Sequence, residues 1–173
     1  MSMAEARVEL RAGDRGREER VLREGVELLE RIGDRHGYYP TVVLELAKCL
    51  YDQGRYDEVE RLCGIARETT QADDLVNYVG LAGLDAGLLA QRDRHEEAGE
   101  HARRAVELAE TTDFYETRAW ALLMLAETLL LAGRPGEAAE QAAQGLHHFD
   151  AKGDVTGGFH ERGHLAELGI SAR

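Results

Sequence analysis

The chain has 173 residues, and at roughly 100–200 residues per domain it makes one compact domain or one short repeat array. With 43% hydrophobic residues it is not a disordered tail, while two prolines and 6% aromatics argue against a sandwich or barrel and leave an all-helical protein. A net charge of −12, from 33 acidic and 21 basic side chains, repels phosphate backbones and excludes a nucleic-acid binder of the electrostatic kind.

The predicted elements begin with a short helix at 3–12 and a longer one at 15–33. The arginines between Arg7 and Arg35 alternate with acids such as Glu9, Glu18, Glu19, Glu24 and Glu30, so this stretch reads as a solvated, ion-paired helix face. Helices follow at 40–53, 56–70, 74–91, 95–110, 115–132, 135–149 and 156–169. Gln53-Gly54-Arg55 and Ala132-Gly133-Arg134 separate neighbours, glycine supplying the left-handed residue that stops a helix. Asp34, Asp73 or Asp74, Asp113 and Asp154 stand where an N-cap carboxylate satisfies free amides, and Pro40 and Pro135 fall in first turns. The longest apolar run, Ala119 to Ala126, is far short of the ~20 residues that cross a bilayer, and Met1 to Leu10 carries acids where a signal peptide is apolar. A soluble, cytoplasmic protein without membrane contact is expected. Cys49 and Cys63 lack C-x-x-C spacing and read as reduced, partly buried thiols.

A period of about forty residues runs through these elements. Leu46-Ala47, Asp85-Ala86, Leu125-Ala126 and Leu165-Ala166 recur at steps of 39, 40 and 40. Leu22-x-x-Gly25, Cys63-x-x-Ala66, Ala102-x-x-Ala105 and Ala142-x-x-Gly145 recur at 41, 39 and 40, so each copy holds two helices, with small residues where they approach closely. The copies are a partial first repeat at 14–39, repeats at 40–73, 74–113 and 114–153, and a capping helix at 154–173.

Val43-x-x-Leu46-Ala47-x-x-Leu50 with Gly54, Tyr56, Val59, Cys63 and Ala66 resembles the tetratricopeptide repeat motif. So does Leu122-x-x-Leu125-Ala126-x-x-Leu129 with Gly133, Ala138, Ala142 and Gly145. The family repeat is shorter, at 34 residues, its closing proline is absent here, and Asp85 replaces a usual leucine. The long copies are also similar to C-terminal repeat arrays of large bacterial transcriptional regulators and signalling ATPases. The resemblance implies a right-handed superhelix of antiparallel hairpins, a TPR-like α-solenoid whose first helices line a concave groove. The motif frame places Leu44, Glu45, Lys48, Tyr51 and Asp52, then Gly83, Gly87 and Gln91, then Trp120, Leu123, Met124 and Glu127 along that groove. Tyr51 and Lys48 have the least reason to be buried. Such a floor suits a protein partner, a peptide or helix of neutral or basic, partly apolar character, and makes the chain a non-catalytic regulatory or sensory module without a cofactor.

Two other readings compete. His160-Glu161-Arg162-Gly163-His164 reads H-E-x-x-H, which on a helix presents two imidazoles to zinc with the glutamate as general base. Only nine residues follow His164, too few for the usual downstream ligand, so a third would come from His147, His148 or Asp150. The same segment also fits the repeat register. The other reading is a structural arm that forms homodimers through an uncapped end. The only serines, Ser2 and Ser171, lie at the chain ends, and no phosphate-binding glycine loop occurs, so those chemistries have no scaffold.

Overall fold

Spacings of three and four draw an apolar stripe along one side of each helix, and burying those stripes builds the molecule. The computed structural model describes residues 15–171, which form eight helices and, among the described residues, no strand. They are α1 Arg15–Ile32, α2 Tyr39–Tyr51, α3 Tyr56–Thr69, α4 Leu75–Ala90, α5 His95–Glu110, α6 Tyr115–Leu131, α7 Pro135–Lys152 and α8 Val155–Glu167. Each bound lies within three residues of the predicted one; the helix expected at 3–12 lies outside the described residues.

Three corners share one geometry. The N–H groups of Arg55, Arg94 and Arg134 reach back to the carbonyls of Leu50, Leu89 and Leu129 at 3.0, 3.0 and 2.9 Å. Those of Gly54, Asp93 and Gly133 reach Tyr51, Ala90 and Leu130 at 2.9, 3.1 and 2.9 Å. This double bond pattern satisfies carbonyls left open at a helix end and requires a left-handed residue. The three supply φ of 72°, 60° and 73°. Each arginine then folds over the next helix's first turn, Nε donating to Glu58, Glu97 and Glu137 at 2.7, 2.8 and 2.7 Å. A repeated Gly/Asp-Arg-x-x-Glu signature therefore marks every passage from α2, α4 and α6 into α3, α5 and α7.

The carboxylates expected as caps behave unequally. Asp34 accepts from the Gly37 and Tyr38 amides at 2.7 and 3.0 Å, Asp74 from Asn77 at 3.1 Å and Asp154 from Gly157 at 2.9 Å. Asp113 does not cap α6, whose N-cap is Phe114, without a side-chain hydrogen bond. The Arg118 guanidinium and the Thr111 and Thr112 hydroxyls take the carbonyls at the end of α5, and Asp113 is left fully exposed, 4.0 Å from Arg118.

By its contacts the chain divides into two compact units, one up to Asn77 and one from Tyr78, the division falling inside α4. In the first, α2 packs against both α1 and α3, burying Val43, Leu46, Ala47 and Leu50 of α2 and Val59, Cys63 and Ala66 of α3. Both cysteines are buried as thiols and form no disulfide. The second holds three apolar clusters. Val79 meets Ala105, Ala109 and Ala121; Ala86 and Ala102 meet Leu125, Leu129 and Ala138; Ala119, Leu123 and Ala126 meet Ala142, Leu146, Phe149 and Leu165. The alanines bring the backbones close, as the repeated small residues require.

Candidate functional site

The first helix of each copy positions the candidate surface. On α2, Glu45 and Lys48 are half-buried and paired at 2.8 Å, one turn apart, and Asp52 is exposed just past the helix end. Leu44 and Tyr51 are not available to a ligand: both are buried, and the Tyr51 ring lies 5.4 Å from that of Tyr56. Tyr51 follows the apolar stripe rather than the solvent side, which corrects the expectation that it is exposed.

On α4 and α6 the same outcome recurs. Gly83 and Gly87 are buried, Gln91 is exposed, and Leu123, Met124 and Glu127 are buried. The side chain missing at Gly83 is replaced by Trp120, since a Cβ there would stand 2.5 Å from the ring atoms Cη2 and Cζ3. Leu123 fills the equivalent space over Gly145, with 3.1 Å between its Cδ2 and a Cβ placed on that glycine. Large side chains thus seat on glycines within the helical packing. Of the twelve groove candidates, seven are buried, and Glu45, Lys48, Asp52, Gln91 and Trp120 are the five with surface to offer.

A polar cluster not singled out by motif lies where α1 meets α2. Glu18 is 7% exposed and, through Leu22 and its counterparts, shares a register position with Val59, Ala98 and Ala138, all fully buried. Loss of water around it, reinforced by Asp52 and Glu45 and opposed by a Cys49 hydrogen bond and by Arg15, pushes its carboxyl up to about 7. Burial, with Glu18 beside it, pushes the Cys49 thiol up to about 12, which keeps it protonated and unreactive. Gln53 donates to its sulfur at 3.4 Å, and Arg15 donates to the Asp52 carbonyl at 3.0 Å. Beside them Glu19, although burial pushes it upward, is held below its ordinary range by Arg23 and Arg55, both donating at 2.8 Å, and by Gln53. The cluster can hold a proton near neutral pH and presents Glu45, Lys48 and Asp52 at its rim. Reading the stripe 18, 22, 25, 29 against the other second helices is the signal that finds it.

The H-E-x-x-H segment lies on α8, with His160, Glu161 and His164 half-buried and the His164 Nδ1 buried without a hydrogen bond. Among the described residues no three His, Cys, Asp or Glu side chains gather to hold a metal ion. Asp150, one of the candidates for a third ligand, instead takes the Arg162 guanidinium at 2.8 Å on both oxygens. No described helix is long and apolar enough to cross a membrane. No protein-family model matches the chain, and comparisons with curated proteins and with solved structures likewise give no match.

Proposed function

We propose that this chain is a non-catalytic protein-interaction module of the tetratricopeptide kind. In this reading its antiparallel hairpins form a right-handed superhelix and take a peptide or helical segment on the outward parts of the first helices, as a regulatory or sensory arm. The observation that carries it is the corner that recurs at steps of 39 and 40 with the same hydrogen bonds, a left-handed residue at the same place and the same Arg–Glu clasp. A fold built from copies of one hairpin buries each stripe against a neighbouring copy, and what remains for function is surface rather than a closed pocket. The five candidates with surface are two carboxylates, a lysine, a glutamine and a tryptophan, on a chain of net charge −12. That chemistry favours a basic or neutral segment carrying an aromatic or aliphatic anchor, and disfavours nucleic acid.

Selection of random dodecapeptides on the immobilised chain tests this. Basic, aromatic-containing sequences are expected to enrich, and Asp52→Arg, an exposed substitution that leaves the far-ultraviolet circular dichroism unchanged, is expected to weaken them at least tenfold. Failure of any peptide to enrich, or equal binding by Asp52→Arg, overturns the reading.

A further inference from the structure

The second helices of the copies, α1, α3, α5 and α7, share one stripe of packing positions. At the first position of that stripe Val59, Ala98 and Ala138 are fully buried, and α1 places Glu18 there, buried as well. The groups that face it among the described residues are Asp52, the Cys49 thiol and Glu45, on α2 or just past its end, and Arg15 one turn back on α1. A neutral carboxyl fits such a place with little penalty. An ionised one is short of water and meets two carboxylates, with Arg15 opposing them.

The neighbouring polar ties of α1 keep their charge near neutral pH. Arg23 bonds Glu19 and Glu58 at 2.8 and 3.0 Å, and Arg55 bonds the same two carboxylates at 2.8 and 2.7 Å, closing a ring of charges that joins α1 to the corner between α2 and α3. Burial pushes Glu19 upward, but Arg23, Arg55 and Gln53 hold it below its ordinary range, and Arg23 and Arg55 hold Glu58 there too. Arg15 donates to the Asp52 carbonyl at 3.0 Å, and the Cys49 thiol donates to the Arg15 carbonyl at 3.9 Å. Glu18 is therefore the member of this contact whose charge changes as pH passes through neutrality.

We propose that the contact between α1 and α2 is a proton-held latch, shut while the Glu18 carboxyl is neutral and loosened when it ionises, so that α1 lifts locally and bares the Cys49 sulfur. It rests on the α1–α2 contact and not on peptide binding, so the two can fail separately. The lifted helix returns Glu18 to water, while the ring at Glu19 and Glu58 draws α1 back, which makes the opening local and reversible. The folded pKa of about 7 lies above the ordinary 4.5, so the latch holds fully below pH 4.5, weakens as pH rises through about 7 and stays level above that.

Amide hydrogen exchange of the 173-residue chain, corrected for the intrinsic rate at each pH, tests it. Protection of α1 relative to α3 is expected to fall about tenfold between pH 5 and pH 8, after allowance for screening, and to change little from pH 8 to pH 9. Alkylation of Cys49 relative to Cys63, each scaled to the urea-unfolded chain at the same pH, should rise over the same range. Glu18→Gln should hold the protection of α1 at its pH 5 level throughout. Asp52→Asn, on an exposed side chain whose carbonyl still takes Arg15, should shrink the fall, and it carries the test if Glu18→Gln loses its helical signal. Protection of α1 that does not change with pH in the wild type overturns the inference. So does a fall of the same size in a folded Glu18→Gln or in Asp52→Asn, and so does a fall shared equally by α3, the signature of global unfolding.

Discussion

Asp93 carries φ of 60° at a corner where Gly54 and Gly133 carry 72° and 73°. A side chain in the left-handed region costs about 1 kcal/mol, less for aspartate, whose carboxylate bonds locally, and glycine returns part of the gain through its freer unfolded chain. Asp93→Gly should therefore raise stability by about 0.5 kcal/mol, a Tm increase of about 1–2 °C by calorimetry, and Asp93→Val should lower it. Glu18 poses the opposite problem, a carboxyl in a place its counterparts give to valine and alanine. The groups that face it are Asp52, Glu45, Arg15 and the Cys49 thiol. Its folded pKa of about 7 lies above the ordinary value of 4.5, so the folded state binds the proton more tightly. The stability this brings is complete below pH 4.5 and is lost as pH rises through about 7. Glu18→Gln should be nearly neutral at pH 5 and stabilising by about 1–2 kcal/mol at pH 8, after allowance for screening by nearby water, and urea midpoints at the two pH values check it.

The helices themselves were readable because stop and start signals are local chemistry: a glycine after the last turn, an aspartate before the first, a proline within it. Which neighbour covers a face is not local, and there the reading fell short. The glycines of α4 suggest either ligand access or close packing, and periodicity gives no sign that Trp120 comes from α6 to occupy the space over Gly83. Gly83→Ala gains helix propensity of about 1 kcal/mol but drives its methyl into the indole, so in the wild type it should destabilise by about 1–3 kcal/mol. In a Trp120→Ala background the same change should be neutral or stabilising. A double-mutant cycle by chemical denaturation measures the difference, and additivity within about 0.5 kcal/mol would show that the two residues do not meet.

Across the described residues, the forty-residue period is plain from Leu-Ala pairs and small-residue pairs, and it gives the order of the eight helices between 15 and 167. The site was only partly readable, since the motif frame marks first-helix positions without separating the outward Glu45, Lys48 and Asp52 from the inward Leu44 and Tyr51. Glu18 escaped because a charged residue on an Arg/Glu-rich helix looks solvated until its register partners are laid beside it. The Arg–Glu corner stands in plain letters at 55–58, 94–97 and 134–137, but only the hydrogen bonds of the turn distinguish a clasp from a solvated pair. Because its backbone is the same each time, one corner can be spliced onto another. Removing 94–133 joins Asp93 to Arg134, keeps the clasp with Glu137 and subtracts one whole period, so the 133-residue product should melt cooperatively with unchanged helicity per residue. Removing 94–131 instead leaves two surplus residues in the turn, and a broad, shifted transition is expected. Lengthening or shortening the chain by whole modules is thus written into its bends.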